Sequence, residues 1–147
     1  MKSVYLFGVV TMCLLLSACG GAPDNVATVT GKVTLDGQPL ANALVTFTPK
    51  TGAVSFGRTN AEGVYELQYS REHKGAEIGQ HTVSVSTYAE ADPDGDPPVE
   101  GSPERVPVQF NQQSELIKDV ASGANTHDLT LTSEGEIVQG DVGEEDE

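Results

Sequence analysis

From residue 27 to residue 35 small or apolar side chains alternate with polar ones without a break. Ala27, Val29, Gly31, Val33 and Leu35 fall on one side, and Thr28, Thr30, Lys32 and Thr34 fall on the other. A period of two over nine positions predicts a half-buried β-strand. Asp36-Gly37 then supplies turn chemistry, because glycine tolerates positive φ, and Pro39 keeps the following segment extended. The same alternation predicts a strand over 43–48, with Ala43, Val45 and Phe47 inward, and another over 64–69, with Tyr65, Leu67 and Tyr69 inward. Between them 55–59 reads as a short strand, and Asn60-Ala61-Glu62-Gly63 turns the chain. Residues 81–88 alternate again around Val83 and Val85, and 126–132 closes the pattern with Leu129 and Leu131 inward. Weaker strand signals cover 106–110 and 116–120, while 71–79 fits a loop or a single helical turn equally well. No segment keeps helical periodicity. About seven short strands with regular turn signals predict an all-β, antiparallel β-sandwich.

Two polar stretches stand outside this pattern. Residues 89–104 hold six acidic side chains, four prolines and no base. Such a segment cannot bury apolar surface and is expected to form a long mobile loop between strands. Residues 133–147 carry seven acidic side chains, again with no base, and read as a disordered acidic tail. The folded unit is therefore expected to span 27–132.

The start of the chain has a different character. Lys2 precedes a mostly apolar run of thirteen positions from Val4 to Leu16. A spanning helix needs ~20 residues, so the run reads as an export signal. It closes on Leu16-Ser17-Ala18-Cys19-Gly20, which resembles the lipobox of bacterial lipoproteins. That resemblance implies removal of residues 1–18, a diacylglycerol on the Cys19 thiol, a fatty acid such as palmitate on the new amine, and a tether over 19–26. More than one such chain makes attachment stable, at ~0.8 kcal/mol per buried CH₂. Gly20 follows the cysteine where an aspartate would retain many lipoproteins at the inner membrane. In a cell with two membranes the resemblance therefore implies the outer one. Cys13 leaves with the leader, so the remaining 129 residues have no second cysteine for a disulfide. One packed core must supply the stability.

Charge narrows the partners. The chain carries −14 at pH 7, and loss of Lys2 leaves seven bases against 22 acids, or −15. Such a surface repels nucleic acid and anionic head groups. Membrane attachment is expected to rest on the lipid at Cys19 alone.

Several short motifs come in a fixed order. They are Val29-Thr30-Gly31-Lys32-Val33, Asp36-Gly37-Gln38-Pro39-Leu40, Ala43-Leu44-Val45-Thr46-Phe47, Glu62-Gly63-Val64-Tyr65 with Leu67, and Gly79-Gln80-His81-Thr82-Val83. Together they resemble the carboxypeptidase regulatory-like domain, a seven-stranded transthyretin-like (prealbumin-like) β-sandwich. Pro107 to Phe110, Ser114 to Leu116, Val120, Gly123, Asn125 and Leu129 resemble the second half of small bacterial lipoproteins carrying that domain. The resemblance covers about residues 27–132 and implies a scaffold without chemistry of its own, with no cofactor. Fold alone leaves the role open.

Candidate chemistry is sparse. Transthyretin-like hydrolases of the 5-hydroxyisourate type use histidines, an arginine and a terminal Tyr-Arg-Gly-Ser, whereas this sequence closes on Gly143-Glu144-Glu145-Asp146-Glu147. His81 at a strand start reads as a core-edge residue, His73 lies in a polar loop, and His127 opens the last strand. No spacing signals a nucleophile triad or a histidine pair for metal. No catalytic residue is expected, and the protein is not expected to be an enzyme. Asp92, Asp94 and Asp96 set carboxylates at alternate positions, with Glu100 and Glu104 following, and hard oxygen ligands suit Ca²⁺. An EF-hand loop counted from Asp92 would put Gly and Glu where Pro97 and Pro103 stand, so a calcium site here would be weak. Tyr88 and Phe110 are the only aromatic pair expected to reach solvent beside the acidic loop, where a glycan could stack. The leading expectation is a non-enzymatic envelope lipoprotein serving as a structural or protein-interaction module. The alternative is a weak Ca²⁺- or glycan-binding module built on residues 88–110.

Overall fold

The computed structural model describes residues 23–140. The expected leader, Cys19 and residues 141–147 lie outside the described residues. Ten short strands form an all-β, sandwich-like pair of sheets: β1 (Val26–Leu35), β2 (Gln38–Pro39), β3 (Leu44–Pro49), β4 (Ser55–Arg58), β5 (Val64–Glu66), β6 (Ala76–Glu77), β7 (Gly79–Ser86), β8 (Leu116–Val120), β9 (Ala124–Thr126) and β10 (Leu129–Leu131). The strands beyond the expected seven are two- and three-residue pieces. One of them, β6, lies in the expected loop or helical turn over 71–79, where its pairing with the start of β1 holds it extended.

β1 is the spine of one sheet. Along one side it pairs antiparallel with β6, β5 and β2 in turn. Along the other it pairs parallel with β9 and then β10, from Thr28 opposite Ala124 to Leu35 opposite Leu131. These parallel pairs are the exception to an otherwise antiparallel architecture. They arise because β8 sits in the other sheet, and a chain crossing from it rejoins β1 from the same end. The register stays unbroken across the gap between β9 and β10. There His127 N–H donates to Thr30 O at 2.8 Å, and the Asp128 carboxylate accepts from Lys32 N–H at 2.8 Å in place of a backbone carbonyl. The second sheet runs β4-β3-β7-β8, all antiparallel.

The expected strand over 64–69 ends early in the first sheet for a physical reason. Leu67 N–H still reaches Val29 O at 2.9 Å, but Gln68 exchanges two backbone hydrogen bonds with Phe56 of β4. The segment thus steps from one sheet to the other and closes that side of the sandwich. The expected strand over 106–110 is instead a 3₁₀ turn at Val108–Phe110. Pro107 has no N–H, and the Val106 N–H is taken by the Glu104 carboxylate at 2.9 Å, so no ladder can be built there.

Between the sheets the alternation pays off as a continuous core of Val29, Val33, Val45, Phe47, Tyr65, Leu67, Val83, Val85 and Leu131, among others. Burying a side chain as large as Phe47 contributes about 2–3 kcal/mol. Its ring packs tilted against Tyr65 at 6.4 Å, His81 at 5.8 Å and His127 at 6.0 Å between centroids. Tyr65 lies opposite Gly31 on the neighbouring strand, and its hydroxyl passes beneath β1 to donate to His127 O at 2.6 Å. Gly31 is what permits this crossing, since a Cβ there would overlap His127 O and approach Tyr65 Cε1 at 2.9 Å. Burial, aided by the nearby Asp128 charge, holds the Tyr65 phenol well above its ordinary pKa, so it stays a donor.

Gly31→Ala is therefore expected to cost about 2–4 kcal/mol of unfolding free energy through overpacking. Gly37, whose Cβ would meet nothing within 4 Å at φ 78°, should cost only ~1 kcal/mol on change to Ala. Urea denaturation of the two variants checks the contrast, and equal losses would refute the account given for Gly31.

Candidate functional site

β7 delivers the chain to Thr87, where the acidic segment begins. Residues 89–102 do not wander between strands. Ala89 and Ser102 exchange backbone hydrogen bonds of 3.0 and 2.9 Å, and Asp92 and Val99 exchange two more of 2.9 and 2.8 Å. The segment is thus a narrow antiparallel arm with Pro93-Asp94-Gly95-Asp96-Pro97-Pro98 at its tip. Asp92, Asp94 and Asp96 all lie exposed along it. Among the described residues no three His, Cys, Asp or Glu side chains come together to hold a metal ion. The structure therefore does not bring the three aspartates into one ligand set.

Glu104 departs furthest from its expected setting. Counted with the exposed acids from sequence, it is only 4% exposed. One carboxylate oxygen accepts from the Thr87, Arg105 and Val106 N–H groups at 2.9, 3.0 and 2.9 Å, with the Thr87 hydroxyl at 3.0 Å. The other accepts from Ser86 Oγ at 2.5 Å and Asn111 Nδ2 at 2.8 Å. A buried charge is tolerated only when it is satisfied in this way. Burial pushes the Glu104 pKa up, but the hydrogen bonds from Ser86, Thr87 and Val106 outweigh it and leave the carboxyl below its ordinary value. One side chain thereby fastens the end of β7, the base of the arm and the turn at 108–111.

The start of the expected acidic tail is tied to the same place. Gln139 clasps the Glu104 backbone, accepting from its N–H at 2.9 Å and donating to its carbonyl at 3.1 Å. Val108 N–H donates to Glu136 O at 2.8 Å, and Gln109 Nε2 to Glu134 O at 2.9 Å. Ser133 gives its N–H and hydroxyl to Asp36 at 2.9 and 2.5 Å, which lowers the Asp36 pKa. Residues 133–140 thus form a strap across the end of the sandwich, held by side-chain and backbone bonds that acidic composition does not announce.

Two of the histidines meet the Phe47 ring and the third lies apart. His81 is buried against Phe47, with Nδ1 3.0 Å from Gly79 O. His127 packs on the same ring from the other sheet. His73 lies in the 70–73 turn, 3.3 Å from Ser70 Oγ, with its carbonyl accepting from Tyr69 and Ser70. Tyr88 reaches solvent as expected, at 36% exposure, whereas Phe110 is half-buried. Phe110 packs on the core, and the Tyr88 ring lies where any Cβ at Gly140 of the strap would go.

Sequence reasoning did not single out the open edge of the second sheet; among the described residues β9 and β10 leave the outer edge of the first sheet unpaired as well. β4 is bridged by Gln68, whereas β8 has β7 on one side and no described strand on the other. Ile117 on β8 points outward and is 48% exposed, beside Thr82 of β7. An unpaired edge of this kind can accept an added strand, and Lys118 within it discourages indiscriminate pairing.

Glu104→Gln should cost about 2–3 kcal/mol near neutral pH, because an amide NH₂ would face donors that now meet an acceptor. The folded-state pKa lies below the ordinary 4.5, so this stabilisation is complete above that value and is lost as pH falls through the lowered one. Denaturant titrations should show the gap between wild type and variant closing in acid, and a gap independent of pH would count against the charged hub. Calorimetric titration with CaCl₂ should give no saturable heat up to millimolar concentration; a saturable isotherm lost in Asp94→Ala would restore the calcium reading.

No protein-family model matches the chain, and no curated protein matches it.

Proposed function

We propose that this protein is a non-catalytic envelope lipoprotein: a β-sandwich tethered through Cys19 that serves as a docking module for another envelope protein. The single observation that carries the docking role is the unpaired edge of β8, which offers backbone donors and acceptors beside the exposed side chain of Ile117. The lipobox-like Leu16-Ser17-Ala18-Cys19 supports the anchor, and in a cell with two membranes Gly20 favours the outer one. The likeness of residues 27–132 to the carboxypeptidase regulatory-like domain agrees with a scaffold role. The buried polar groups favour it too: Glu104 spends its hydrogen bonds on holding elements together, and His81 and His127 pack on Phe47.

Cys19→Ala should move the protein from the membrane pellet to the soluble fraction and abolish palmitate labelling without lowering its unfolding midpoint. Retention of label in that variant would overturn the anchor. A photo-crosslinking amino acid at Ile117 should capture one defined envelope protein that the same probe at Thr28 does not capture. Equal capture at both positions would remove β8 as the docking edge.

A further inference from the structure

We infer that the sandwich stands upright on an anionic membrane, with the end formed by 23–26, 49–54, 69–80 and 118–123 against the head groups and the arm and strap pointing away. The inference rests on the Cys19 anchor and adds an orientation to it.

Chain reach fixes which end is near. β1 begins at Val26, seven residues after Cys19, and seven residues extend to at most ~25 Å. The strands define that end: Val26 pairs with Glu77, Ile78 N–H bonds Asn25 O at 2.7 Å, Pro49 pairs with His81, and Gly79 pairs with Val120. From there β1 runs for ten residues, about 30 Å at ~3.3 Å per residue. Its far end, Leu35 beside Leu131, is where Asp36, the Glu104 hub, the arm and the strap gather.

Charge is divided along the same axis. At the near end Lys50, Arg71, Lys74 and Lys118 face Asp24, Glu66, Glu72, Glu77 and Asp119, a balance within one unit. Of these, Lys74 and Glu66 are paired at 2.6 Å, and Glu77 is held by the Tyr69 hydroxyl at 2.9 Å. Among the described residues the far end carries Asp36, Glu62, six acids of 89–104, Glu134 and Glu136, against Arg58 and Arg105. Screening at physiological salt acts over ~8 Å, so the near surface feels its own balanced charges rather than the total of −15. Repulsion by anionic head groups then falls on the far end and turns it outward. Val54 and Ile78, 42% and 43% exposed, give the near end apolar contact for the interface. The net charge that argues against free binding to a membrane thus sets the posture of a tethered domain.

The test couples the mature chain, Cys19–Glu147, through its only thiol to a maleimide lipid in nanodiscs of phosphatidylethanolamine and phosphatidylglycerol that also hold a gadolinium-chelate lipid. Chemical coupling keeps the result independent of natural lipidation, which the Cys19→Ala fractionation tests separately. Amides of 50–54, 77–80 and 118–122 should relax faster than those of 92–98 by on the order of tenfold, given a separation of about 30 Å along β1. Equal or reversed enhancement at the two ends overturns the orientation. Replacing the lipids with neutral phosphatidylcholine should shrink the contrast, and an unchanged contrast overturns its electrostatic cause.

Discussion

Every pairing in the first sheet is a pairing with β1. Strands from five other parts of the chain bond to it, on both sides, in registers that leave no room for a slip. A shift of one residue would turn Val29 and Val33 to solvent and Thr30 and Lys32 into the core. That constraint explains why Gly31 must lack a side chain. Two neighbours, Tyr65 and His127, have to meet across the middle of the spine.

The opposing sheet is organised differently. Its inner face is filled by Val45, Phe47, Val83 and Val85, and its outer face mixes serine and threonine with the exposed Phe56 and Ile117, so burial of the inner face determines its arrangement. At the far end buried hydrogen bonds join the apolar packing of Leu40, Ala43, Val106 and Leu131. The Glu104 carboxylate and the Gln139 amide fasten the end of β7, the base of the arm, the turn at 108–111 and the strap to one another. Such an arrangement is directional, so it fixes the course of the arm and strap more tightly than burial would.

The two-residue period made β1, β3 and β7 readable, because each has one wet and one dry face. It failed at 106–110, where side-chain acceptors captured the ladder donors and Pro107 offered none. Glu104 was illegible for a related reason. Within a run of six acids nothing local marks the one that points inward; its partners at Ser86, Thr87 and Asn111 are brought in by tertiary folding. The parallel pairing of β1 with β9 and β10 depends on which sheet holds β8, and no pattern within either strand encodes that. The proposed anchor, by contrast, is read from the sequence alone, since Cys19 lies outside the described residues. Chemistry that a peptidase or acyltransferase reads is linear, whereas chemistry that a fold assembles is not.

The junction of β1 with β9 and β10 has a kinetic side. Val33 lies opposite Leu129, so the first strand made waits for almost the last. Until residues 124–131 join it, the spine has only one flank. Contacts this distant in sequence slow folding and prolong exposure of sticky strands. A chain built this way acquires its rigid centre only when residues 124–131 have joined β1.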